Sequence, residues 1–120
     1  MRLPLPPISG NKMYGSNRYG HRYLVREAKD YKEQVMWLCK GETVDGTKPL
    51  CLQLTFYFPY QRYYNKNGTL KRIDTTNYVK LIEDAIAEGM GYDDKQNVRH
   101  VLERLPTDGE GYVDVTITEV

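Results

Sequence analysis

The sequence predicts an α+β domain with two helices packed on a small mixed sheet, in the order β-α-β-α-β-β. Three observations predict it. Residues 50–58, LCLQLTFYF, place Leu50, Leu52, Leu54, Phe56 and Phe58 on one side and Cys51, Gln53, Thr55 and Tyr57 on the other, which is the period of a strand with one buried face. Residues 22–40 and 75–88 instead space their apolar positions at helical intervals. Residues 98–105 and 112–119 return to alternation, with Val113, Val115 and Ile117 set against Asp114, Thr116 and Thr118. Strands and helices that interleave in one short chain bury their apolar faces against each other as layers.

The elements follow in order. Residues 2–5 are a short extended segment stopped by Pro6-Pro7, because proline disfavours helix in the residue before it. Residues 8–21 are rich in Gly, Asn and Tyr and read as a loop. The first helix spans 22–40, with a stripe of Leu24, Ala28, Tyr31, Val35 and Leu38 and with Gly41 as its C-cap. Pro59 ends the strand 50–58, and residues 59–73 form a polar, basic and aromatic loop containing the tight-turn signal Asn67-Gly68. Tyr78, Val79, Ile82, Ala85 and Ile86 form the stripe of the second helix, which Gly89 and Gly91 terminate. An acidic turn covers 92–97, and PTDGEG between the last two strands suits a hairpin.

The chain has 120 residues, enough for one domain, residues 1–120, with its own core. Its apolar content of 40% and charged content of 28% exclude a disordered tail or a fibre. No apolar run approaches the roughly 20 residues that span a bilayer. The opening MRLPLPPISGNK lacks the apolar core of a secretory signal, so the expected compartment is the cytoplasm. Cys39 and Cys51 fit no zinc spacing and read as reduced, partly buried thiols.

The formal net charge of +1 hides an asymmetry. Residues 1–40 carry eight basic and three acidic residues, residues 41–73 five and two, and residues 74–120 four and eleven. A basic half attracts phosphates, and clustered carboxylates hold hard divalent cations. The two halves pairing with each other explains the same charges equally well.

The chemistry concentrates in Lys71–Val98, KRIDTTNYVKLIEDAIAEGMGYDDKQNV. Asp74 precedes the second helix. Asn77, Lys80 and Asp84 share one helical face, and Thr76, Lys80 and Glu83 an overlapping one. Asp93-Asp94 follows the glycine break. A loop that returns past the helix brings that pair towards Asp74. Two or three carboxylates suffice for Mg²⁺, which keeps several waters and can activate one of them against a phosphodiester. A neighbouring lysine stabilises the added charge on phosphorus. Each residue also has a plain structural use. Asp74 or Thr75 serves as an N-cap, Lys80 with Glu83 or Asp84 as a surface pair, and Asp93-Asp94 as a turn.

This stretch resembles the signature of the RusA family of Holliday-junction resolvases, found in phages and prophages. The matching run is Asp74-Thr75-Thr76-Asn77-Tyr78-Val79-Lys80, then Asp84, then Asp93-Asp94. LPLPPISGN at residues 3–11 is similar to the family's opening, and VDVTITEV to its C-termini. The resemblance implies a RusA-like fold and a homodimer. It also implies Mg²⁺-dependent endonuclease activity on branched DNA, with Mn²⁺ as a second candidate ion, in recombination and repair within a bacterial or phage-infected cell. It makes Asp74, Lys80 and Asp94 the catalytic residues and Asp74, Asp93 and Asp94 the metal ligands, Asp94 before Asp93, with Asn77 and Asp84 in support.

One position departs from the signature. The family's second Asp is Thr76 here, a neutral and weaker ligand. Glu83 lies two turns further along the same face and is the expected source of the third acidic group. The expected phosphate contacts are Lys12, Arg18, Arg22, Arg26, Lys29, Arg62, Lys66, Lys71 and Arg72. Tyr57, Tyr60, Tyr63 and Tyr64 are interleaved with Arg62 and Lys66, a mixture that suits unpaired bases, although two or three of these tyrosines read as core or interface residues and at most half are expected to touch nucleic acid. A RusA-like protein that binds branched DNA without cutting it is the alternative reading, and Thr76 is its motive.

Overall fold

The computed structural model describes residues 1–4, 14–16, 20 and 22–120. The described residues form two compact units, one built from residues 1–4, 48–75 and 97–120, the other from 14–16, 20, 22–47 and 76–96.

The first unit is a four-stranded mixed sheet. Its strands are β1 (Arg2–Leu3), β4 (Leu50–Pro59), β5 (Asn97–Thr107) and β6 (Tyr112–Glu119), in the spatial order β1-β6-β4-β5. The alternation in 50–58 has its expected meaning: Leu50, Leu52, Leu54, Phe56 and Phe58 are all at most 1% exposed. With Leu3, Val113 and Val115 they make the unit's core. The strong apolar row puts β4 in the centre, with β6 antiparallel on one side and β5 parallel on the other.

That arrangement corrects the expected hairpin of the last two strands. β5 and β6 do not pair with each other; each pairs with β4. The turn residues 108–111 cross the end of β4 instead of closing a two-stranded loop, because the most apolar strand of the unit takes a partner on each edge. β5 is thereby an edge strand, and its residues 98–101 are exposed. At the other edge the N-terminal ammonium donates to the Val115 carbonyl at 2.8 Å, and the Arg2 guanidinium pairs with Asp114 at 3.0 Å.

The second unit holds the hairpin of β2 (Tyr14–Ser16) and β3 (Arg22–Leu24), and the helices α1 (Arg26–Cys39) and α3 (Val79–Met90). The hairpin is a second correction. Residues 22–24 are strand, and the helix begins at Arg26. The deciding bonds run to Tyr14–Ser16, residues that a helical periodicity count does not consult. Val25 stands at the N-cap in an extended conformation, and its carbonyl accepts the Lys29 N–H at 3.0 Å.

Ala28, Tyr31, Val35 and Cys39 are the buried face of α1. Leu38 is 42% exposed, so the stripe ends on Cys39 instead. On α3 the buried set is Leu81, Ile82, Ala85, Ile86 and Ala87, with Tyr78 and Val79 only half-buried. The two helices touch where Gly89 has no side chain: a Cβ there would lie 2.9 Å from Cys39 Cβ and 3.0 Å from Met36 O. Both cysteines are free and buried, and burial, then the charge of Glu42, pushes the Cys39 thiol up to about 11. The chain is thus α+β, with the expected element order interrupted by the β2–β3 hairpin and by a short helix α2 (Tyr60–Tyr63).

Candidate active site

Asp84 is the predicted site residue around which the structure gathers others, with Asp93 and Asp94 in one pocket and Lys80 at 4.0 Å. Asp84 stands on α3, and the helix ends six residues later at Met90. Gly91 then takes the left-handed conformation at φ 76°, and the Tyr92 N–H donates back to the Ala87 carbonyl at 3.0 Å. This closure reverses the chain, and glycine is the residue that enters it without a Cβ penalty. The reversed chain runs back along the last turns of α3 and forms a 3₁₀ turn at Asp94–Gln96.

The two acidic residues of that turn have different surroundings. Asp93 Oδ1 accepts the Lys95 N–H at 3.0 Å, and Oδ2 lies 3.9 Å from Lys95 Nζ. Its carboxylate therefore starts the 3₁₀ turn, a common use of aspartate. Asp94 instead lines one pocket with Asp84. Burial pushes the Asp84 carboxyl above the ordinary carboxylate range, against the pull of Lys80, and the neighbouring Asp94 pushes the same way. Two carboxyl groups in contact either share a proton or share a cation.

Asp84, Ala87, Glu88, Tyr92, Asp93 and Asp94 line an open pocket of about 210 Å³. Glu88 and Tyr92 were not singled out from the sequence. The signal for Glu88 was present, since Lys80, Asp84 and Glu88 repeat at intervals of four on one helical face. Its partner was not visible: Lys32 on α1 holds Glu88 Oε1 at 2.9 Å, a contact across 56 positions.

Lys80 is exposed, and its Nζ stands 4.0 Å from Asp84 Oδ2. Of the two partners considered for it, Asp84 is the one this ion pair names. Glu83 and Asn77 are half-buried, and Thr76 is exposed. Asp74 is exposed and belongs to the sheet unit, just before the 3₁₀ turn Thr75–Tyr78 that leads into α3. Among the described residues of the helical unit, no three His, Cys, Asp or Glu side chains form a ready-made metal cage.

The family model for Endodeoxyribonuclease RusA matches residues 4–118. The chain belongs to the RusA family. A RusA relative from Enterobacteria phage 82, named crossover junction endodeoxyribonuclease, is 30% identical over 98% of this chain and 92% of its own length. Relatives with the same name from Shigella sonnei (strain Ss046) and Escherichia coli (strain K12) are 29% identical over the same shares.

The basic residues expected to serve this RusA chain as phosphate contacts are scattered. Lys12 and Arg18 lie outside the described residues. Arg22 is in β3 and not, as expected, on a helical face with Arg26 and Lys29, which are exposed on α1. Arg62, Lys66 and Arg72 are exposed on the segment that follows β4. Lys71 is half-buried, and its Nζ donates to the Gln61 carbonyl at 2.6 Å, so it fastens that segment. The four tyrosines differ in burial. Tyr63 is buried, with its hydroxyl 3.3 Å from the Arg104 carbonyl, and Tyr57 stacks on Tyr112 at 4.3 Å. Tyr60 is 51% exposed. Among the described residues no helix is long and apolar enough to cross a membrane.

Proposed function

We propose that this chain is a metal-dependent endodeoxyribonuclease that cuts four-way and related branched DNA junctions by phosphodiester hydrolysis. Near full-length kinship with crossover junction endodeoxyribonucleases is the observation that carries the reading. The open pocket lined by Asp84, Asp93 and Asp94 supports the metal. An all-oxygen donor set of carboxylates that already repel each other suits a hard cation that keeps much of its water, Mg²⁺ or Mn²⁺.

Asp94, Asp93, Asp74 and Glu83 are the residues assigned to hold it, with Asp94 first, and Asp84 and Asn77 support them. The bound ion supplies charge neutralisation at the phosphodiester and an activated water. Lys80, an exposed ammonium on the same helix, contributes positive charge to the phosphate as it gains electron density. Asp84 adds a carboxylate beside Asp94 in the same pocket and keeps Lys80 on this face by their ion pair. Arg26, Lys29, Arg62, Lys66 and Arg72 hold phosphates on the flanking duplexes, a contribution that weakens as salt rises. A homodimer suits a substrate of approximate two-fold symmetry that needs a nick in each of two strands. The compartment of such a reaction is the bacterial cytoplasm.

The test is cleavage of a labelled four-way junction in Mg²⁺, in Mn²⁺ and in EDTA, with Asp74→Asn, Lys80→Ala, Asp94→Asn and Glu83→Ala beside the unaltered protein. The expected outcome is paired nicks that need the ion and fall by about 10²-fold or more in the first three variants. Loss in Glu83→Ala supports its substitution for the acidic residue that Thr76 replaces. Tight junction binding without cleavage in either ion refutes the enzyme and leaves the binding protein.

A further inference from the structure

The segment after β4 is a preformed arm with an apolar end. It starts at α2 and is pinned by the buried Tyr63, whose hydroxyl meets the Arg104 carbonyl. From there the chain doubles back on itself: Tyr64 and Leu70 form an antiparallel bridge, Asn65 N–H donates to Thr69 O at 2.7 Å, and Lys71 N–H donates to Tyr63 O at 2.8 Å. Gly68, at φ 85°, permits the turn. Arg104 ties down the far end by donating to the Lys71 and Ile73 carbonyls at 3.2 and 3.3 Å.

Singly exposed apolar side chains are ordinary; this arm presents adjacent ones. Leu70 is 56% exposed, and bridge partners in an antiparallel pair project to the same face, so Leu70 stands beside Tyr64. The Tyr64 ring lies 6.2 Å from Tyr60, itself 51% exposed, and 4.9 Å from the buried Tyr63. An aromatic row thus runs from the core outward and ends in Tyr60 and Leu70. The arm, residues 59–73, also carries Arg62, Lys66, Lys71 and Arg72 and no acidic residue. An apolar tip on an arm whose own charged residues are all cationic complements a polyanion that exposes flat apolar faces, which describes unpaired bases between phosphates.

We propose that Tyr60 and Leu70 form a wedge that packs against unpaired bases at the branch point of a DNA junction, while Arg62, Lys66 and Arg72 hold the phosphates beside it. The inference rests on the branched-DNA reading and adds the residues that tell a branch from a plain duplex. Because the arm is already hydrogen-bonded, little ordering opposes the contact.

The test is equilibrium binding of the full chain in EDTA to a four-way junction and to a linear duplex of the same sequence. The variants are the double substitution Tyr60→Ala/Leu70→Ala and the conservative Tyr60→Phe/Leu70→Met. The alanine pair is expected to lose about tenfold in junction affinity, to change duplex affinity less than twofold, and to abolish the fluorescence change of a 2-aminopurine placed at the branch. The conservative pair is expected to behave as the unaltered chain does. An unchanged junction-to-duplex ratio in the alanine pair, with the unaltered chain preferring junctions, overturns the wedge alone. No junction preference in the unaltered chain overturns the substrate reading and the wedge with it. Dissociation of a native assembly by the alanine pair assigns the patch to a second copy of this chain and also overturns the wedge.

Discussion

Replacing Asp84 by Asn should stabilise the protein at neutral pH in EDTA, although it removes an ion pair. Two effects oppose each other. Lys80 stands 4.0 Å from Asp84 with 69% of its side chain exposed. Full Coulomb attraction at that distance in water is about 1 kcal/mol, and an exposed helical pair of this spacing retains about 0.3–0.5 kcal/mol of it. Against it stand the partial burial of Asp84 and the facing carboxylate of Asp94, and their combined effect wins, since the Asp84 carboxyl is shifted upward. The net gain in Asp84→Asn is therefore positive and, discounted for solvent screening, below about 1 kcal/mol, or up to about 4 °C in Tm for a chain of this size. Its pH dependence follows from the direction of the shift. Between the ordinary carboxylate range and the raised value, the folded chain holds a proton that the unfolded chain has lost, so the stability of the unaltered protein falls as pH rises through that window. Asn does not titrate. The advantage of Asp84→Asn should thus be near zero at about pH 3.5, grow with pH, and level off above the raised value. Thermal melts of both proteins from pH 3.5 to 8 in EDTA measure it. A cation held at Asp94 offsets the same repulsion and stabilises the unaltered chain by mass action, so adding Mg²⁺ should shrink the difference. A variant less stable at pH 7, or a difference that ignores pH, refutes the like-charge account of the site.

Other perturbations follow from the same geometry. Gly89→Ala should lower Tm by several degrees: the helical preference for Ala is worth about 1 kcal/mol, but the new Cβ meets Cys39 Cβ at 2.9 Å and Met36 O at 3.0 Å, an overpacking of about 1–3 kcal/mol. A rise in Tm would show that α1 and α3 separate freely. Tyr31→Phe should raise stability by about 1 kcal/mol in a urea titration, because the buried Tyr31 hydroxyl has no hydrogen-bond partner among the described residues; a loss of stability would reveal a partner. Arg104→Ala should release the Lys71 and Ile73 carbonyls and speed hydrogen exchange at the Asn65 and Lys71 amides by about tenfold or more, with the amides of β4 unaffected. Equal protection in both proteins would mean that the arm holds itself together without Arg104.

Much of this protein is legible in one dimension. The row Leu50 to Phe58 forms the core of the sheet because strand alternation is a local property of the chain, and α3 ends at Gly91 because the left-handed exit selects glycine locally, whereas Gly89, also expected to end it, lies inside the helix against α1. The run Asp74 to Lys80, Asp84 and Asp93-Asp94 resembles the RusA signature, and the family match over residues 4–118 bears that resemblance out. What the sequence left open depends on distant partners. Whether 112–119 pairs with 98–105 or with 50–58 was settled by the central strand's demand for two neighbours. Residues 22–24 became strand because Tyr14–Ser16 offered a ladder, and the carboxyls of Asp84 and Asp94 met because a glycine reversal folded the chain back on its helix. Lys32 reached Glu88 across 56 positions, and Tyr60 stayed exposed while Tyr63, three residues on, was buried. Periodicity records which side of an element is apolar; which partner covers that side, and which charges then face each other, is a property of the assembled chain and belongs to the tertiary structure.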